Sequence, residues 1–444
     1  MKTNLNVECI SKALANSLKS SFAPAILLLS VSDAMAVHLE YGVGAEVQYS
    51  DNIAQDSADE KDEWVYGGIV GIAANEDSGP ILVNSNALLR YEDYAHNTFS
   101  DQFLFSLNNQ AEWRIIPDRF SWVLNDRFTQ LSIDTFNTDT PANSQNANAL
   151  STGPNLVYRL SLINRIELDG RYENYYYEES DADNNRYSAY ARWVHTLSSS
   201  TELSLNISGE KTTFDENDLI DNYTRQDYSI SYSTQSTITE YEIELGRTYI
   251  QSSAADHSGY FATANGVWSF TPNFSFGLSA GSRLTDVNQE LIDSVSDTVQ
   301  GAVQTAQVSG DVFREKEFGF TLNKMGSGLR IKLQGDWVDQ DYKTTSLDQR
   351  IKRATGNLEY DLTATLVGSV FGGFERMKAI ETKREDDDST LGASISYLIR
   401  RDWAIELTTR YTKRESNQAG ADFNELAGYL AVTYKEKLLS EKGS

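Results

Sequence analysis

The chain has 444 residues, 40% hydrophobic and 23% charged, and its 64 acidic against 38 basic side chains give a formal net charge of −26. That acidity excludes a nucleic-acid partner, which needs a basic footprint, and reads first as solubility and solvated loops. Tyr (24) and Phe (18) are plentiful while Pro is scarce at 6, a balance that suits long uninterrupted strands.

The first segment, 1–36, differs from the rest. Lys2, Lys12 and Lys19 lead into the apolar run Phe22–Val31, followed by Ala34-Met35-Ala36. This pattern predicts a signal peptide cleaved after Ala36. The one cysteine, Cys9, lies inside it, so the expected mature chain has neither a disulfide nor a thiolate metal site. No later stretch reaches the roughly 18 apolar residues of a transmembrane helix.

From Val37 the chain alternates. Val37, Leu39, Tyr41, Val43, Ala45, Val47 and Tyr49 form an apolar row against His38, Glu40, Gly42, Gly44, Glu46, Gln48 and Ser50, the period of two of a β-strand. Phe103, Phe105, Leu107, Ala111, Trp113 and Ile115 repeat the pattern against Ser106, Asn108, Gln110, Glu112 and Arg114. Ile166, Leu168, Gly170 and Tyr172 oppose Glu167, Asp169, Arg171 and Glu173, and Tyr241, Ile243 and Leu245 oppose Glu240, Glu242 and Glu244. Leu329, Ile331, Leu333 and Trp337 oppose Arg330, Lys332, Gln334 and Asp336; a last strand ends on Tyr434.

Links alternate too. Short turns are expected at 76–80, 116–119, 162–165, 198–200, 271–273, 325–328 and 400–402, and longer polar links at 51–63, 134–151, 178–183 and 383–389. One rim of short turns and one of long loops predicts an all-β, single transmembrane antiparallel up-and-down barrel over 37–434, with short periplasmic turns and long extracellular loops. The count is about twenty strands, with eighteen the next choice and 286–320 the ambiguous region. In such a barrel the apolar row faces lipid and the polar row lines the lumen. A bacterial outer-membrane address follows, with 435–444 as a periplasmic tail.

The expected lumen and polymer-contact residues are Arg114, Asp126, Arg127, Glu167, Asp169, Arg171, Glu173, Tyr176, Glu242, Glu244, Arg330, Lys332 and Arg410. The bland reading of these charges is cross-strand pairing that stiffens the wall; the functional one is a selectivity surface. Tyr176 stands for the triple Tyr175–Tyr177, of which at least one ring should look inward. Asp126 breaks the apolar row Phe120, Trp122, Leu124, Phe128, and a bulge is expected to return it, with Arg127, to an internal network. Acidic runs at 56–63, 178–183 and 385–388 belong in outer loops, without EF-hand spacing. His96 with Asp93 and His257 with Asp256 are read as polar surface rather than catalytic pairs. No catalytic residue, metal or cofactor is expected.

Three stretches carry a resemblance: "YSDNI" (Tyr49–Ile53), "PDRFSWVLNDRFTQ" (Pro117–Gln130) and "STGPNLVYRLS" (Ser151–Ser161). Here the chain resembles the outer-membrane β-barrel family encoded beside exopolysaccharide synthesis genes in Gram-negative bacteria, and in looser form over most of the mature length. The resemblance implies an eighteen-stranded conduit for a secreted polysaccharide, a periplasmic polysaccharide-export protein as partner, and outer-membrane lipid and lipopolysaccharide around it. Two alternatives stay open, a general or substrate-specific diffusion porin and a structural or adhesive barrel. A porin would fold a long loop inward as a constriction, and the 134–151 and 286–306 links are the candidates.

Overall fold

The computed structural model describes residues 38–215, 221–253, 255–288, 309 and 311–437. The expected signal peptide with Cys9 and most of the expected tail therefore lie outside the described residues. Twenty strands follow in order: β1 (His38–Ser50), β2 (Glu63–Glu76), β3 (Ile81–Tyr94), β4 (Gln102–Ile116), β5 (Phe120–Ser132), β6 (Ser144–Arg159), β7 (Asn164–Tyr177), β8 (Asn184–Ser198), β9 (Thr201–Phe214) and β10 (Tyr223–Gln235). The second half comprises β11 (Thr239–Ser252), β12 (His257–Thr271), β13 (Phe274–Thr285), β14 (Phe313–Met325), β15 (Leu329–Tyr342), β16 (Gln349–Asp361), β17 (Leu366–Ala379), β18 (Glu385–Arg400), β19 (Trp403–Ser416) and β20 (Phe423–Lys437).

Each strand pairs antiparallel with its sequence neighbours, and β1 pairs with β20 to close the ring. The eighteen strands implied by the resemblance give way to twenty. Closure removes every sheet edge. Nine links of two to four residues form one rim, and the other holds all the longer links together with one further four-residue link, 253–256, between β11 and β12. The outward row holds the large exposed apolar side chains, among them Val43, Ile72, Leu168, Ile207, Leu245, Phe320, Val370, Leu391 and Leu407. Trp113 and Trp122 sit opposite each other near the short-turn rim, both exposed, as membrane-interface aromatics do.

Four boundaries differ from the sequence reading. The expected link 134–151 shrinks to 133–143, with a 3-10 turn at Pro141–Asn143, because β6 begins at Ser144. Ala147 and Ala149 are buried there against Tyr175 and Tyr177, and that packing overrides the weak strand propensity of an Asn/Ala-rich run. The acid run 385–388 lies in β18 instead of a loop, since a guanidinium meets each carboxylate: Arg376 on Asp387, Arg414 on Asp388 and Arg384 on Asp386. Glu63 belongs to β2 rather than to the preceding link. Lys435–Lys437 extend β20, in register with Gly42–Glu40, so the wall outlasts the expected end at Tyr434.

Asp126 is a further correction. The β4–β5 ladder runs without interruption from Leu107–Phe128 to Arg114–Ser121, and its one irregularity lies between Arg114 and Ile116. No bulge rotates Asp126, which stays on the row of Trp122, Leu124 and Phe128. It remains there because a neighbouring amide satisfies it: Asn148 Nδ2 donates to its carboxylate at 2.8 Å, and the group is closed over, 1% exposed. Asn109, directly opposite, is also buried.

Candidate functional site: the lumen and its outer mouth

Alternation along each strand places Arg114, Arg127, Glu167, Asp169, Arg171, Glu173, Glu242, Glu244, Arg330, Lys332 and Arg410 on the inward row. Asp126 does not join them, and neither does Tyr176. Tyr176 shares the outward row of Leu168 and Tyr172 and is 37% exposed, whereas Tyr175 and Tyr177 point inward and are buried. A strand can turn only alternate members of a Tyr triplet to one side, and here the outer two take the lumen.

The inward charges form short networks along the wall. Arg165 binds Glu202 through two nitrogens at 2.5 and 2.8 Å and holds Glu167 at 2.6 Å. Arg330 spans Glu359 and Asp361, each at 2.5 Å, and Arg353 joins Glu375 (2.5 Å) to Asp336 (3.4 Å). Glu244 accepts from the Asn206 amide and the Ser229 hydroxyl. Arg171 donates to Asn155 Oδ1 at 2.5 Å and to the carbonyls of Pro154 and Gly170. Arg410 lies 3.6 Å from Glu425 and over the Tyr429 ring.

At the long-link rim the lumen is crossed. Phe136, in the link between β5 and β6, packs against Val338, Ile351 and Met377 on β15, β16 and β17. Its carbonyl accepts from Arg384 at 2.6 Å and from Arg414 at 3.1 Å, and its ring lies beneath the Arg384 guanidinium. Since β6 and β16 stand ten places apart in a ring of twenty, this link reaches the opposite wall. A circular ring of this strand number measures roughly 40 Å across. Phe136 lies only four residues beyond β5, a reach of at most about 14 Å. The mouth is therefore an oval, pinched along this axis.

The second expected candidate, the link after β13, is also drawn in where it is described. Arg186 on β8 holds Asp286 through both carboxylate oxygens at 2.9 Å, and the Tyr223 hydroxyl donates to Asp286 at 2.6 Å. The Tyr177 hydroxyl donates to Asn288 Oδ1 at 2.8 Å. Arg186 is 1% exposed, faces Glu210 at 3.4 Å and Glu173 at 3.9 Å, and lies over the Tyr175 ring. Burial works against the charge on Asp286, but the Arg186 guanidinium and the Tyr223 hydroxyl outweigh it and hold the carboxyl below the usual carboxylate range. Sequence reasoning missed Arg186, Tyr223 and Asp286. Arg186 could have been found as a wet-row cation, but nothing local points to a partner 100 residues away.

On the other side of the pinch, a cavity of about 700 Å³ opens among Glu40, Asn86, Ser106, Asn108, Arg127 and Thr433. Apolar side chains, among them Val43, Ile69, Leu88 and Phe128, share the lining with these polar groups. His96 stands beside Glu63 rather than Asp93, with its backbone amide donating to Glu63 at 2.8 Å. Among the described residues no group of three or more His, Cys, Asp or Glu is arranged to hold a metal ion.

A closed antiparallel ring with an oily exterior and a charged, amide-rich interior defines an integral barrel of the outer-membrane, porin-like type. Residues 339–436, from β15 to β20, match the family model described as "Putative beta-barrel porin 2". No curated protein matches the chain. Among solved structures, the chain is similar in fold to OccK2 (OpdF) of Pseudomonas aeruginosa, at 8% identity and TM-score 0.39, covering 91% of this chain and 98% of that one. It is also similar to a mutant form of the ferric enterobactin receptor PfeA of the same organism, at 7% identity and TM-score 0.47, covering 90% and 80%. For the FrpB iron transporter of Neisseria meningitidis the figures are 11%, 0.45, 89% and 81%.

Proposed function

We propose that this barrel is a non-catalytic outer-membrane conduit for a secreted exopolysaccharide, docked through its short-turn rim to a periplasmic polysaccharide-export protein. The observation that carries the reading is the inward wall itself. Amides, hydroxyls and paired charges of both signs offer a sugar many weak contacts and no deep well, which is what conduction requires. The family resemblance in Pro117–Gln130 and Ser151–Ser161 supports the polymer as cargo.

A second reading is a diffusion porin for small polar solutes, favoured by the inward reach of the Phe136 link. Single-channel conductance in planar bilayers separates the two. Long saccharide fragments that block the current from the short-turn side support the export conduit. Block by mono- and disaccharides alone supports the porin, and currents indifferent to any sugar overturn both.

A further inference from the structure

On the outward face of β16 and β17, close to the long-link rim, Arg350 stands directly opposite Lys378 and Lys352 directly opposite Arg376. Like charges placed opposite each other across a ladder repel, and here two such pairs stack one above the other. The carboxylates around them compensate only in part. Asp339 lies 3.2 Å from Arg350, Asp387 2.6 Å and Glu385 3.5 Å from Arg376, and Glu385 3.5 Å from Lys378. Lys352 has no ion-pair partner among the described residues. All four cations are roughly half exposed, where ion pairs with neighbours contribute little.

The patch has a defined height. The next outward pair down is Ala354 opposite Phe374, with Phe374 exposed, and Leu358 and Val370 continue the apolar belt. The Arg376 guanidinium lies 5.9 Å from the Phe374 ring. The cations thus sit just above the hydrocarbon band, at headgroup level. Position around the ring matters as well. At the same height β1, β2, β4, β7 and β8 turn outward Tyr49, Trp64, Phe103, Tyr176 and Tyr187, all exposed aromatics. In a chain of net charge −26, this cationic outer surface calls for an anion supplied by the membrane.

We infer that Arg350, Lys352, Arg376 and Lys378 form a binding site for the phosphates of an outer-leaflet saccharolipid. The Lys352 and Lys378 ammonium groups give phosphate point-charge contacts, and the Arg350 and Arg376 guanidinium groups, each held along one edge by Asp339 and Asp387, add the N–H groups of their remaining nitrogen, while the acyl chains lie along Phe374, Leu358 and Val370. The inference rests on the long-link rim facing outward, and not on what passes through the lumen.

The test uses the purified barrel in detergent, titrated with diphosphorylated lipid A and with its dephosphorylated counterpart, with binding read by native mass spectrometry. The wild-type protein should prefer the phosphorylated lipid by about tenfold, and K352Q/R376Q should lose that preference while Lys61→Gln keeps it. Heat-resistant migration in gels reports whether each variant is folded. Should the double variant not fold, K352Q alone and the wild-type comparison of the two lipids still decide. Equal binding of both lipids, or an undiminished preference in the variants, overturns the site. So does a variant whose oligomeric size changes while its lipid binding does not. Sugar block of the current is a separate readout, so failure of the conduit reading would be distinguishable.

Discussion

Arg186 and Asp286 meet through two 2.9 Å contacts inside the outer mouth, joining the wall at β8 to the start of the link after β13. Breaking a buried pair leaves an uncompensated charge, which typically costs 3–5 kcal/mol; Glu210 and Glu173 beside Arg186 soften this to about 3. Asp286→Asn should lower stability by about that much in urea titrations of vesicle folding. An unchanged stability would mean that Glu210 and Glu173 alone satisfy the Arg186 charge.

The same pair predicts a pH dependence. The folded-state pKa of Asp286 is depressed, so its contribution is fully present above the unfolded value of about 3.9 and is lost as pH falls through the lower folded value. The contribution of this pair to stability should hold steady from neutrality to about pH 4 and fall only below it. A loss near pH 6 would assign the pH dependence to another group.

Phe136→Ala removes the ring that bridges the short axis of the mouth, at a cost of about 1–3 kcal/mol for a partly buried aromatic. Larger or noisier currents are expected. R384Q/R414Q should act in the same direction, because both guanidinium groups bond the Phe136 carbonyl.

Asp126 provides a stability test. Asp126→Leu removes a carboxylate from the lipid-facing row and should favour folding into lipid vesicles by about 1 kcal/mol, after allowing for the lost Asn148 bond. Asp126→Asn should be close to neutral, whereas Asp126→Arg should cost about 2–4 kcal/mol. Urea titrations of vesicle folding measure all three, and destabilisation by Leu would return Asp126 to a structural polar network.

Glu242 and Glu244 face the lumen, so E242Q/E244Q should shift the reversal potential toward weaker cation preference. Asp93→Asn, on the outward row with Leu89, should not. Equal effects of the two changes would reduce selectivity to the overall charge of the molecule.

Much of this architecture was legible because it is local. A period of two assigns each side chain to lipid or lumen from its neighbours alone and runs through all twenty strands, and link length sorts the rims everywhere except at the four-residue link 253–256. Parity was equally legible for Tyr175–Tyr177: the polar row Glu167, Asp169, Arg171 and Glu173 continues to Tyr175 and Tyr177, so choosing Tyr176 as the inward ring went against the strand's own alternation. Asp126 misled because the rule against lipid-facing carboxylates omits a cross-strand amide such as Asn148. The length of the 134–151 link marked it as one that could fold inward, but nothing in the sequence marked Phe136 or its partners on the far wall. The contacts of Phe136 with Arg384 and Arg414 join positions 248 and 278 residues apart, and the separation of such partners is set by the closed ring.

The ladder between β1 and β20 also bears on how the molecule comes into being. Tyr41 donates to Glu436 across 395 residues of sequence, so the first strand waits for the last before either is satisfied. Until then the nascent sheet carries two open flanks and a belt of exposed oil, a slow, non-local topology prone to sticking to other chains. Assembly is therefore a race between synthesis, holding and insertion. A variant that weakens only the β1–β20 seam, such as Tyr41→Ala, should lower the yield of inserted barrel far more than it destabilises barrels already formed.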